Sequence, residues 1–238
     1  PSIDPEHLLT VRAIKMYADG ALGSRGAALL EKYNDYDGQG VFIFLEEETK
    51  PRLAKALKKG IQIGTHAIGD HGNRVVLDWY EDAFEDARNN NNSLIDPRWR
   101  IEHSQIIDLE DINSFNHKIL PSVQPTHATS DMYWAEDRVG SSRINGAYAY
   151  KKLLEKSKVI GLGTDFPVER VNPFHTFYAA ISRKDLNGYP EKGFQFQNAL
   201  YREETLKGMT IWAAYSNFEE KEKGSIEKGK LADFIVID

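Results

Sequence analysis

Ile61-Gln62-Ile63-Gly64-Thr65-His66 is an apolar run of strand length, and residues 71–88 soon after it carry a helical pattern. Val76, Tyr80, Ala83 and Ala87 recur there at spacings of four, three and four, which marks one buried helix face. Asp78, Glu81, Asp82, Glu85 and Asp86 supply its solvated face. Upstream, residues 11–17 form another apolar run, closed by Ala18-Asp19-Gly20. A Gly-rich irregular stretch then reaches about Gly40, and a helix is expected over 46–59, with Leu53, Ala56 and Leu57 facing inward. Downstream, Asn89 to Asn92 reads as a surface loop, and Trp99-Arg100-Ile101-Glu102-His103 as a strand. Asp108 is expected to cap a short helix. Residues 119–124 read as a strand, followed by a long loop holding His127. A helix near 147–156, a strand over 159–165, helices after Asn172-Pro173 and near 203–214, and a final apolar run at 234–237 complete the pattern.

Strand-length runs alternating with helices predict an α/β chain around a parallel sheet. Five such units are present. A TIM-type (β/α)8 barrel needs three more, so these would be strands four to eight, with the first three upstream of residue 1. The opening Pro1-Ser2-Ile3-Asp4-Pro5 carries no initiator Met and no signal peptide, and reads as the cut end of a longer chain.

Composition narrows the function classes. The 238 residues hold 30 Lys plus Arg against 36 Asp plus Glu, a formal net charge of -6. A dedicated nucleic-acid binder would be basic, so no nucleic-acid partner is expected. No apolar run approaches the roughly 20 residues of a membrane-spanning helix, so no membrane association is expected either. The chain has no Cys, which removes disulfides, thiolate catalysis and Cys-based metal sites. Any metal must be held by His and carboxylates. The compartment is left open, with the cytoplasm favoured.

Lys15, His66, His103 and Asp165 each close a predicted strand, 51, 37 and 62 residues apart. Those spacings match one or two βα units, so these side chains come from separate strands. In a barrel the carboxyl ends of the strands are where catalytic groups converge. Each residue alone has a plainer reading: a hydrogen-bonded structural His, an Asp capping a helix, a Lys reaching solvent. Their joint placement in this order points to a site.

The sequence resembles the amidohydrolase superfamily, and within it the YtcJ-like group of metal-dependent hydrolases (the amidohydrolase-3 family). The resemblance is carried by residues 14–26 around Lys15 and by His66-Ala67-Ile68-Gly69-Asp70. Further matches are Arg100-Ile101-Glu102-His103-Ser104-Gln105, residues 122–131 around Gln124-Pro125-Thr126-His127, and Gly163-Thr164-Asp165-Phe166-Pro167-Val168. Residues 224–234 resemble the turn by which such chains re-enter a small β-sandwich. The expected division is therefore a barrel part over 1–218 and a sandwich return segment over 219–238.

The resemblance implies a carboxylated Lys15 bridging two metals, His66 and His103 binding one of them, and Asp165 binding metal and handling the proton. It implies one or two divalent ions, zinc by preference, since neutral imidazole and carboxylate oxygen suit that metal. The superfamily's His-x-His pair, which ends the first strand, is absent among the seven His at 7, 66, 71, 103, 117, 127 and 175. It would lie upstream, and the chain alone is then expected to be inactive. His127, at the end of the seventh barrel strand, and Arg25, in the Gly-rich loop, are the candidate substrate contacts, each weighed against a structural role. Tyr133 and Trp134 are placed by position on the pocket wall, whereas His71, His117 and His175 read as surface or structural residues.

The implied activity is hydrolysis of a carbon–nitrogen bond in an amide, formamide or cyclic amide by metal-activated water, on a small-molecule substrate. An esterase or deaminase on the same site is the alternative within enzymes. A non-catalytic fragment or regulatory relative that keeps the fold is the alternative outside them. Homo-oligomerisation is left open.

Overall fold

The computed structural model describes residues 9–90 and 96–237. Its centre is a parallel sheet of five strands, β1 (Ala13–Tyr17), β2 (Gln62–Ala67), β3 (Trp99–His103), β4 (Ile119–Val123) and β5 (Gly161–Leu162), in the spatial order β1-β2-β3-β4-β5. Every strand pairs with the next in sequence. The order never reverses, as it would in a doubly wound sheet. Among the described residues β1 and β5 are both free edges, so the sheet is open.

The crossovers run through α1 (Glu46–Lys58), α2 (Asp70–Asn89), a 3-10 turn at Asp111–Ser114, and then α3 (Pro125–Asp131), α4 (Ala135–Arg143) and α5 (Tyr150–Ser157). After β5 come α6 (Pro173–Ser182), α7 (Arg202–Met209) and α8 (Ile211–Ser216). The core lies between the sheet and these helices. Trp99 and Ile101 alternate onto the helix side of β3 and are fully buried. The Trp99 ring meets Tyr80 and Phe84 of α2 at centroid distances of 4.7 and 5.0 Å, and its indole N–H donates to the Ile61 carbonyl at 3.2 Å. Phe84, rather than the expected Ala87, completes the buried face of α2, because its larger ring reaches Trp99.

The opposite face of the sheet is polar. Arg100 pairs with Glu102 at 2.9 Å and donates to Gln62 and to the Ser216 carbonyl. Gln62 in turn donates to the Ser216 carbonyl at 2.8 Å, so the end of α8 is tied beneath the sheet. These three side chains satisfy one another, which is what permits their burial.

Asp19 and Asp70 order the Gly-rich stretch after β1. The buried Asp19 carboxylate accepts the N–H groups of Ala28, Ile68 and Gly69 at 2.9, 3.0 and 2.8 Å. Asp70 accepts from Leu30 at 2.8 Å and from His71 at 3.0 Å. The loop is thereby clamped onto the β2–α2 junction. Gly69 is required there, because a Cβ would fall 1.9 Å from the Ala28 carbonyl oxygen.

Several expectations change. The expected loop after residue 124 contains two helices, α3 and α4. The former starts with Pro125, whose fixed φ and missing N–H suit a first helical position. Only Gly161–Leu162 pair in the expected strand 159–165. The helix expected at 203–214 is broken at Thr210 into α7 and α8. Asp108 does accept a backbone N–H, from Glu110, but it precedes a single 3-10 turn in place of the expected helix. Residues 231–237 make no strand, and Val236 is 91% exposed.

Asp19→Ala would leave three buried N–H groups without an acceptor, at about 1–3 kcal/mol each. Urea unfolding should therefore show a loss of about 3 kcal/mol or more, and Asp19→Asn, which keeps an acceptor oxygen, a smaller one. Equal stability of Asp19→Ala and wild type would refute the clamp.

Candidate metal centre

The carboxyl ends of the strands open onto one cleft of about 610 Å³. His103 is the last residue of β3 and turns back with φ 77, followed by Ser104 at φ 43. Asp165, three residues past β5, has φ 57. Left-handed backbone in non-glycine residues is uncommon and concentrates where function demands a particular side-chain aim. His127 enters from the first turn of α3.

One ligand atom each from His103, His127 and Asp165 lies within 4.8 Å of the others. The His103 Nδ1–H donates to Gln124 Oε1 at 2.8 Å, and the His127 Nδ1–H donates to Glu169 Oε1 at 3.0 Å. Ser130 also donates to that Glu169 oxygen at 2.7 Å. With both Nδ1 positions so occupied, the Nε2 lone pairs are left for a cation, the arrangement by which metal-binding histidines are oriented. His127 Nε2 lies 3.6 Å from Asp165 Oδ2.

His66 flanks the set, its ring centroid 4.5 Å from that of His103. Its Nε2 is buried without a hydrogen-bond partner, 3.4 Å from Asp19 Oδ1. Burial lowers the His66 pKa, and burial reinforced by His66 and His127 pushes His103 down to about 4. His103 is thus neutral at pH 7, the form that binds metal. Two aimed imidazoles, a carboxylate and a third, unpartnered buried imidazole fit a divalent cation.

The expected site residues do not all meet. Lys15 lines the cleft but sits two residues before the end of β1, paired with Gly64, so Tyr17 and not Lys15 is level with His66. His127, expected to face substrate from a loop, stands in the His103 and Asp165 cluster on a helix. Arg25 lies outside the cleft. Its guanidinium binds Asp35 in a bidentate pair at 3.1 and 2.8 Å, which ties it to the loop. Trp134 lines the cleft with His66 and His103, whereas Tyr133 faces a neighbouring groove and donates to Asp185. Gln124, Glu169 and Asp19 were not singled out by sequence. For Gln124 and Glu169 the available signal was proximity, three residues before His127 and four after Asp165.

A family profile described as the Amidohydrolase family matches residues 4–238. The chain belongs to the amidohydrolase family. It is 34% identical over 96% of its length to Protein LONG AFTER FAR-RED 3 of Arabidopsis thaliana, covering 39% of that protein. It is 33% identical over 94% to YtcJ of Bacillus subtilis (strain 168), an amidohydrolase candidate by name, covering 41% of it. It is 23% identical over 99% to the N-substituted formamide deformylase of Arthrobacter pascens, covering 42%. Among solved structures, a metal-dependent hydrolase of Pyrococcus furiosus superposes with TM-score 0.80 and 29% identity, over 96% of this chain and 44% of that one. The amidohydrolase chain spans about two fifths of the length of these relatives.

His103→Ala and His127→Ala should each lower zinc affinity by at least about 10-fold, read by equilibrium dialysis, while Arg25→Ala leaves it unchanged. Retention of metal by both His variants would contradict the cluster.

The depressed His103 pKa also fixes a pH dependence. Below the ordinary His value of 6.5 the unfolded chain takes up a proton at this position that the folded chain refuses until about pH 4. In metal-free protein the His103 contribution to stability is therefore lost as pH falls between those values. Wild type minus His103→Asn stability, compared at about pH 7 and about pH 4.5, should shift against the wild type at the lower pH. A constant difference would count against a buried neutral imidazole.

Proposed function

We propose that this amidohydrolase chain carries a metal site for hydrolysis of a carbon–nitrogen bond in an amide, formamide or cyclic amide. The observation that carries the reading is the convergence of His103, His127 and Asp165 at the carboxyl ends of neighbouring strands. The family and the formamide substrate named for the Arthrobacter pascens relative support the substrate class. The unreversed strand order and the superposition on the Pyrococcus hydrolase support a (β/α)8 barrel to which these strands contribute. The reading of residues 219–238 as the return segment of a small β-sandwich rests on the sequence resemblance alone.

His103, His127 and Asp165 would hold the cation, with His66 and a carboxylated Lys15 as further ligands. Zinc suits this nitrogen and oxygen donor set. When bound, such a cation supplies Lewis acidity, polarising a carbonyl and making water a better nucleophile at neutral pH. Gln124 and Glu169 hold the two imidazoles in the required tautomer. Asp165, whose side chain is 41% exposed to the cleft, can take a proton from the attacking water and pass it to the departing nitrogen. Trp134 and Leu22 contribute apolar surface to the cleft wall.

The test is a screen of N-formyl and N-acyl amines, cyclic amides and matched esters on the zinc-loaded full-length protein that contains this chain together with its upstream strands. Amide or formamide cleavage that chelation abolishes is expected, and cleavage of esters alone would overturn the substrate class. Asp165→Asn keeps the size of the side chain but not its basicity, so kcat should fall by about 10²-fold or more. A variant with wild-type kcat and an unchanged pH profile would remove Asp165 from proton transfer.

A further inference from the structure

Asp131 occupies the same cleft as the histidine cluster but belongs to neither the His103 nor the His127 hydrogen-bond set. It comes four residues after His127 on α3, so both side chains leave the same face of that helix. One carboxylate oxygen is committed: Oδ2 accepts from Tyr148 Oη at 2.7 Å and from Gln105 Nε2 at 3.1 Å. Both donors are buried, at 0% and 4% exposure, and Gln105 also donates to Tyr148 Oη at 3.1 Å, so the carboxylate is held rigidly. The other oxygen, Oδ1, has only the Ser130 hydroxyl at 3.5 Å among the described residues. A half-satisfied carboxylate in a cleft leaves an acceptor to be filled by whatever enters.

Charge favours a particular occupant. Asp131, Asp165 and Glu169 line the cleft against Lys15 as its one Lys or Arg among the described residues. Asp165 and Glu169 both face His127, which leaves Asp131 as the carboxylate without a task in the cluster. Trp134, also on the cleft wall, adds an apolar surface beside it.

We propose that Asp131 binds the amine half of the substrate, its Oδ1 accepting a hydrogen bond from a nitrogen that bears a proton. The substrate class narrows accordingly to amides of apolar or aromatic primary amines, or amides with a further ammonium group on the amine side. Asp131 is then a specificity residue that touches the leaving group, and Tyr148 and Gln105 position it. The inference rests on the carbon–nitrogen reading above, but amine binding needs no turnover and can be measured apart from it.

The probes are benzylammonium and benzyl alcohol, alike in size and differing in the charged donor. Calorimetric titration of zinc-loaded wild type at about pH 7 should show benzylammonium binding at least about 10-fold more tightly, the worth of a hydrogen bond to a charged group. Asp131→Asn should abolish that preference while changing benzyl alcohol affinity by less than about twofold. Equal binding of both probes by wild type, a preference that survives in Asp131→Asn, or an equal loss of both probes would each overturn the assignment. Should the variant not fold, a crystal of wild type soaked in benzylammonium decides: nitrogen within hydrogen-bond distance of Asp131 Oδ1 supports the proposal, and nitrogen elsewhere refutes it. If amides are not hydrolysed but the probes are discriminated as stated, the carbon–nitrogen reading fails and the amine-binding role of Asp131 stands.

Discussion

Everything in this site depends on parallel pairing in sequence order. The register Tyr17, His66, Glu102, Ser122, Gly161 crosses the sheet in one row. It obliges each strand to finish on the same side, and the segments beyond that row then meet in one cleft. A slip of one residue in any pair would turn that strand's side chains to the opposite face. His103 escapes strand alternation only because its backbone adopts φ 77, which swings the ring from the helix side into the cleft.

Around that frame the polar groups are arranged in paired roles. Gln124 and Glu169 fix the tautomers of His103 and His127. Asp19 fixes the loop after β1 and stands beside His66. Burial lowers the pKa of His66 and pushes that of His103 down to about 4, so His103 remains neutral at a pH where exposed histidines begin to take up protons. Asp19 shows the opposite shift for the same reason, pushed up to about 6 by burial against the pull of its three backbone donors. The site thus couples fold and chemistry: the interactions that order the loops also set the charge state of the groups facing the cleft.

Much of this was legible in sequence. Short apolar runs ending in Lys, His, His and Asp gave the sheet, its order of units and four of the residues around the cleft, because strand length and periodicity are local properties. The role of His127 was not legible. Residues 125–131 contain Thr126, Thr129 and Ser130, which favour turns, and helix α3 exists because Pro125 starts it and β4 delivers it against α6. The engagement of Arg25 was not legible either, because its partner Asp35 lies ten residues away in an irregular loop that no periodicity describes. Gln124, Glu169 and Asp131 escaped attention for a related reason: a residue that acts through another side chain's free nitrogen or oxygen is identified by distance alone. The helix expected at 203–214 broke at Thr210, whose backbone leaves the helical region where Gly208 packs on Leu162.

The most direct test of the central claim is anomalous diffraction at the zinc edge from crystals of the zinc-loaded protein. A peak about 2.0–2.2 Å from His103 Nε2, His127 Nε2 and an Asp165 oxygen is the predicted result. Zinc held elsewhere in the cleft without His127, or no peak at these residues under saturating metal, would contradict it.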